Sequence, residues 1–291
     1  MTPSRSGSKL TYDGVTRPVK RLMGRVLLGR PLNRLVTSNH VWVVAFHRVD
    51  DLGFPDPLTC GISEFADYCD FFARTFRVVP LSQQLDQLGR HQCGGTLSIT
   101  FDDGYLDNFE NAAPILERFG LPATFFVATG FIGTDQVAWW DRSMPEAPRW
   151  MDWDQIRSLH ARGFEIGCHT VTHANLGSVS PETALREITE ARHRLNTELG
   201  TDVDLFAYPY GGTANMSAEN LAVVKGSGLR CSLSCHGGVN AIKANPFSLR
   251  RIPINSSRGE TADDIAYQML RNLAPMKDKM HVDVPSETRI D

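Results

Sequence analysis

Two adjacent carboxylates, Asp102 and Asp103, close an apolar run and are followed at once by Gly104. The run Thr96-Leu97-Ser98-Ile99 alternates as a strand does, so the acidic pair falls at a strand end. Neighbouring carboxylates repel, and burial makes the repulsion worse. A divalent cation is the usual compensation. Candidate ligands stand downstream, where His169 and His173 are four residues apart in Cys168-His169-Thr170-Val171-Thr172-His173. One carboxylate, two imidazoles and an open position make a donor set for catalytic zinc or a similar ion. The plainer alternative is a turn with Asp102 and Asp103 as solvated caps; the His-x-x-x-His pattern weighs against it.

The remainder of the chain frames this pair with alternating strands and helices. Val41-Trp42-Val43-Val44-Ala45-Phe46 is a continuous apolar run, expected as a buried parallel strand, and His47-Arg48 follows it directly. His47 reads either as a hydrogen-bonded strand-end histidine or as a group of the site. A helix with Phe65, Tyr68, Phe71 and Phe72 at helical spacing follows, with Ser63 its expected cap. Further strands are expected at 123–128, 164–168, 205–209, 229–235 and 250–254. Helices are expected at 108–119, from the Asp152/Gln155 capping box to His160, from Ser180-Pro181 to Leu199, at 217–225 and at 261–273. This alternation predicts a parallel sheet covered by helices, and about seven strands predict a closed or nearly closed barrel. His47, Asp102-Asp103 and His169 all fall at C-terminal strand ends. Residues 130–150 lack periodicity and carry Trp139, Trp140 and Trp150, either a sugar-stacking platform or an aromatic plug over the barrel mouth.

A net charge of −3 gives no electrostatic case for a nucleic-acid partner. No run is long enough to span a membrane, and no cleavable apolar leader is visible. The six cysteines form no Cys-x-x-Cys pair and read as reduced, which fits a cytoplasmic protein. Residues 1–16 are polar. From Arg17 to Val36 the chain carries Arg17, Lys20, Arg21, Arg25, Arg30 and Arg34 without an acid, interleaved with Leu22, Val26, Leu27, Leu32 and Leu35. That stretch is either a basic amphipathic helix on an anionic membrane surface or a solvated helix with one face on the domain. The division expected is a polar and basic segment over 1–38, a catalytic domain over 39–274 and a loose tail over 275–291.

At this point the sequence resembles the polysaccharide deacetylases of carbohydrate esterase family 4, which carry the NodB-like domain. Thr100-Phe101-Asp102-Asp103-Gly104 matches the first family motif in full, and His169-Thr170-Val171-Thr172-His173 matches the second. The resemblance covers about residues 41–255. It implies an α/β fold, a distorted (β/α) barrel, and a metal-dependent amide hydrolase. Asp103, His169 and His173 would be metal ligands, Zn2+ being the expected ion, and Asp102 the general base.

The third family motif, Arg-x-Pro-Tyr-Gly, appears as Ala207-Tyr208-Pro209-Tyr210-Gly211. The Tyr210 amide keeps its implied oxyanion role, but the arginine that steers the base is replaced by Ala207. Arg251, with Arg250 second to it, is the expected substitute. The family's late apolar-x-His motif has no clean match; His236 follows an expected strand but stands before Gly237-Gly238, as a loop residue would. Phe46-His47-Arg48-Val49 is instead similar to the early segment of the permuted branch, which deacetylates biofilm poly-N-acetylglucosamine and related exopolysaccharides. His47 then becomes the expected general acid. Tyr105, Tyr208 and Trp140 are the expected substrate contacts. The implied substrate is an N-acetylated exopolysaccharide or its lipid-linked precursor. Separately from the resemblance, the cysteines and the basic stretch lead to the expectation of a cytoplasmic protein in peripheral contact with the inner membrane face. Two other readings are carried: a metal amidohydrolase on small amides, and a non-catalytic carbohydrate binder.

Overall fold

The computed structural model describes residues 13–29, 32–90, 92–254 and 260–273. The polar segment 1–12, Arg30, and the tail expected at 275–291 lie outside the described residues.

The sheet is built on β1 (His40–Phe46), buried along its whole length after His40. A strand without a polar face needs neighbours on both edges and helices on both faces. β2 (Thr96–Phe101) pairs parallel to it from Trp42↔Leu97 to Phe46↔Phe101. β3 (Thr124–Val127) continues beside β2, and β4 (Glu165–Cys168) beside β3, both parallel. Beyond β4 regular ladders give way to single parallel bridges: Cys168↔Phe206, Ala207↔Leu233 and Leu233↔Leu249. Only three residues past Leu249, β5 (Ile252–Pro253) pairs parallel with Val44 and Ala45 of β1. Strand contacts therefore run from β1 around seven segments and back to β1. This is the α/β fold with a parallel sheet that the alternation predicts, and the single bridges carry its strand contacts along the distorted barrel that the resemblance implies. The distortion lies in the half built from 205–208, 231–235 and 249–253.

Aromatic rings fill the space between strands and covering helices. Phe46, Phe101 and Phe125, from three adjacent strands, stack with centroids 5.5 and 4.9 Å apart. Phe65 of α1 (Ile62–Thr75) meets Phe46 edge-on at 5.1 Å. Such pairs favour offset and edge geometries, which fixes the strand register as well as burying area. The helix starts two residues earlier than the expected Ser63 cap implies. Gly61 occupies the cap position, and the Ser63 hydroxyl donates to Glu64 rather than to the backbone. The capping box on α2 (Trp153–Ala161) and the Ser180 cap with Pro181 on α3 (Pro181–Leu199) form as expected. The expected helix 108–119 is a π-helical turn, Asn108–Ala112, continued by Ala113–Phe119.

Candidate active site

The strand ends deliver their polar residues to one mouth of the barrel. His47 follows β1, Asp102 and Asp103 follow β2, His169 follows β4, and Tyr210 follows the 205–208 segment. They line one cavity of about 180 Å³ with His173, Trp139, Trp140, Cys235, Leu58 and Pro253.

The backbone is contorted where the site is built. Asp103, Thr170, His173 and Tyr210 are the non-glycine residues with left-handed φ among the described residues, at 75°, 67°, 57° and 61°. Each belongs to one of the motifs above. Such conformations cost about 1 kcal/mol or more each and persist where surrounding contacts over-determine them. Gly104, at φ 96°, completes the turn after the acids; a Cβ there would lie 2.9 Å from Ile132. Glu187 of α3 pins the histidine loop from below. Its buried carboxylate accepts from Val171 N and Thr172 N, both at 2.9 Å, and from the Thr172 hydroxyl.

Asp103, His169 and His173 are all buried, and one donor atom of each lies within 4.8 Å of the others. Asp103 Oδ1 faces His169 Nε2 at 3.4 Å and His173 Nε2 at 3.3 Å, and makes no hydrogen bond among the described residues. His169 Nδ1 is 2.8 Å from the carbonyl oxygen of Ala207. Donation to that carbonyl places the ring's lone pair on Nε2, toward Asp103. Burial pushes the His173 imidazole down to about 3, against the pull of Asp103, so the ring is neutral near pH 7. Burial alone would raise the Asp103 carboxyl; the facing rings of His173 and His169 outweigh it and hold the group below the usual carboxylate range. A buried carboxylate oxygen without a hydrogen bond among the described residues, facing two imidazole nitrogens, fits a divalent cation.

Asp102 is turned the other way. Its two oxygens accept from Arg251 Nη1 at 2.6 Å and Nη2 at 2.7 Å. Arg251 is fully buried, and it also donates to Ser234 O and to the Thr100 hydroxyl. Burial would raise Asp102; the guanidinium outweighs burial and keeps the carboxyl below its ordinary value. Arg250 lines a separate cavity with Tyr208 and His236.

Two expected substrate contacts sit elsewhere than the sequence pattern implies. Tyr105 is fully buried and outside the cavity. Its hydroxyl donates to Asp141 and accepts from Trp140 Nε1, both at 2.7 Å, and its ring stacks on Trp150. Tyr208 points to the far side of its segment, packs on Phe206 and faces the cavity of His236 and Arg250. Along an extended segment successive side chains alternate sides, so Tyr208 and Arg250 share one cavity and Arg251 does not join it.

Trp140 does line the site, its ring 4.5 Å from His173, and Trp139 lines it with its Nε1 donating to the Tyr210 hydroxyl at 3.2 Å. The aromatic loop is thus wall and plug together. Beneath it, buried Arg48 binds Asp141 at 3.0 Å and Asp56 at 2.8 Å, linking the residue after His47 to the support of Trp140. Arg48 belongs to the Phe46-His47-Arg48-Val49 segment, whereas Asp141 and Glu187 carry no motif of their own; their sequence signal is only adjacency to Trp140 and a place on α3.

The chain resembles known proteins in both sequence and fold. The polysaccharide deacetylase family model matches residues 89–231. The poly-beta-1,6-N-acetyl-D-glucosamine N-deacetylase of Staphylococcus aureus (strain MRSA252) is 26% identical over 171 residues, covering 56% of this chain and 55% of that protein. The chain spans about half the length of the curated relatives it matches. Among solved structures, the Streptococcus pyogenes deacetylase PplD in complex with acetate superposes with a TM-score of 0.68 at 18% identity, covering 82% of this chain and 100% of that one. IcaB from Ammonifex degensii gives 0.66 at 23% identity, covering 80% and 98%. At such identities these two likenesses concern the fold.

Proposed function

Because this chain carries a polysaccharide deacetylase domain, we propose that it hydrolyses N-acetyl groups on amino sugars of an exopolysaccharide and releases acetate. The observation that carries this reading is the cavity itself, in which a carboxylate clamped by arginine, an Asp-His-His donor set, a strand-end histidine and an indole wall converge. The name of the S. aureus relative supports poly-N-acetylglucosamine as the substrate class.

Asp103, His169 and His173 would hold a divalent ion, Zn2+ being the proposed one. Such an ion, when bound, supplies a Lewis acid that acidifies water and polarises an acyl oxygen. Asp102, ionised and aligned by Arg251, takes the proton from the attacking water. The Tyr210 N–H has no acceptor among the described residues and is free to donate to the oxyanion that forms on the acetyl oxygen. As the C–N bond breaks, His47 donates a proton to the leaving nitrogen, which as an amide anion is far too basic to depart. Water thus supplies its oxygen to acetate, and the sugar leaves as a free amine. Trp139 and Trp140 offer indole faces to a sugar ring.

The free state of all six cysteines supports a reducing compartment, and we place the enzyme in the cytoplasm on that ground. The test is acetate release by the full chain from N-acetylated oligosaccharides, before and after chelation. Chelator-sensitive release is expected. Turnover confined to small non-glycan amides would replace this reading.

A further inference from the structure

The helix at the N-terminus of the described chain is mounted with its apolar side outward. Asp13–Leu27 forms a continuous α-helix. It crosses the helix Ala262–Arg271 at Gly24, where a Cβ would lie 2.6 Å from Asp263 O and 2.8 Å from Tyr267 N. Only glycine permits so close a crossing, and it determines which side of the helix faces the domain. On that side Arg21 Nη2 pairs with Asp264 at 2.6 Å, Arg17 reaches the same carboxylate, and Leu28 is buried just past the helix end.

The opposite side carries Val19, Leu22, Met23 and Val26, exposed by 57%, 60%, 46% and 49%. Their spacing of three, four and seven makes them one stripe. The next short helix, Asn33–Thr37, adds Leu35 at 78% exposure, beside exposed Arg34. Among the described residues, five of the seven large apolar side chains exposed to this degree fall between Val19 and Leu35. Scattered single apolar residues on a surface are ordinary; a helical stripe of them is not.

We propose that this face docks on an anionic lipid bilayer, the helix lying in the plane of the interface. Charge selects that occupant. Lys20 and Arg25 flank the stripe with no acidic partner among the described residues, and no acid occurs from Arg17 to Val36. Apolar side chains then enter the acyl boundary while the cations meet lipid phosphates. A second copy of the chain fits worse, since a two-fold contact through this stripe sets Lys20 and Arg25 near their own equivalents. No helix among the described residues is long and apolar enough to cross a membrane, so the contact is a surface one.

Vesicle co-sedimentation of the full chain tests this. Wild type should sediment with vesicles of equal parts phosphatidylglycerol and phosphatidylcholine, and about tenfold or more weakly with phosphatidylcholine alone. Binding should fall as salt rises, because exposed charges are screened. Leu22→Ser with Val26→Ser, and separately Lys20→Glu with Arg25→Glu, should each weaken binding about tenfold or more. Both double variants should release acetate in solution at the wild-type rate, which separates loss of docking from loss of fold. Failure of the wild type to bind the mixed vesicles, or equal binding by the Leu22/Val26 variant, would overturn the proposal. So would a vesicle-free dimer that the same variant converts to monomer, which would assign the face to self-association.

Discussion

The guanidinium of Arg251 grips the carboxylate of Asp102 through two parallel hydrogen bonds of 2.6 and 2.7 Å, across 149 residues of sequence. A fork of this kind supplies direction as well as charge, which lysine cannot do. Arg251→Lys should therefore fold and keep its metal yet lose turnover by about 10²-fold, because the base is no longer aligned. Arg251→Ala should in addition cost about 3–5 kcal/mol of stability, since it strands a buried carboxylate. Denaturant melts and acetate assays on the two variants separate these effects. Wild-type turnover in Arg251→Lys would remove the alignment role.

His47 and His236 are separated by their surroundings: His47 lines the cavity of Asp102 and Asp103, and His236 lines the one with Tyr208. His47→Ala should lower turnover of an N-acetyl sugar by about 10²–10⁴-fold and recover substantially on an acetyl ester, whose alkoxide needs less protonation. His236→Ala should show neither effect. An ester-selective rescue in His236→Ala would transfer the acid role.

Tyr105 supports Trp140 from behind rather than touching substrate. Tyr105→Phe removes both the acceptor for Trp140 Nε1 and the donor to Asp141 Oδ2. The expected cost is about 1–3 kcal/mol of stability, from buried polar groups left unpaired. The indole is then free to swing, so KM should rise several-fold with metal content unchanged. An unchanged KM would mean that packing on Trp150 and Phe131 holds the aromatic loop without the hydroxyl.

Asp107 offers a pH test outside the site. Burial pushes its carboxyl up to about 7, despite hydrogen bonds from Val49 N and Asn108. Its unfolded value is about 3.9. A raised carboxyl favours the folded state below the unfolded pKa, and that contribution is lost as pH climbs from about 4 to 7. Asp107→Asn does not titrate, so its Tm relative to wild type should climb between pH 5 and pH 8. A pH-independent difference would show that the carboxyl is not protonated in the folded protein.

What the sequence made legible follows from how local each signal is. The acidic pair and the two histidines were readable because strand ends and short spacings place residues without knowledge of distant packing; Arg251 was expected only because the resemblance calls for an arginine that Ala207 does not supply. The orientation of Tyr105 was not, because the buried carboxylate that holds it, Asp141, lies in a loop without periodicity. Tyr208 was misread for a related reason. Its segment joins the barrel through single bridges, too short for alternation to reveal which side faces the site. Near the N-terminus the amphipathic pattern was visible. Which face turned inward depended on the close helix crossing at Gly24, a contact over 200 residues distant in sequence.

The central claim is a division of labour between two adjacent acids, Asp102 as base and Asp103 as ligand. Metal content and acetate release measured side by side on Asp102→Asn and Asp103→Asn test it most directly. Asp102→Asn should retain bound metal and lose turnover by about 10³-fold, since an amide cannot accept the proton. Asp103→Asn should lose most of its metal, and excess metal should restore part of its turnover. Full metal occupancy in Asp103→Asn together with metal loss in Asp102→Asn would contradict the account.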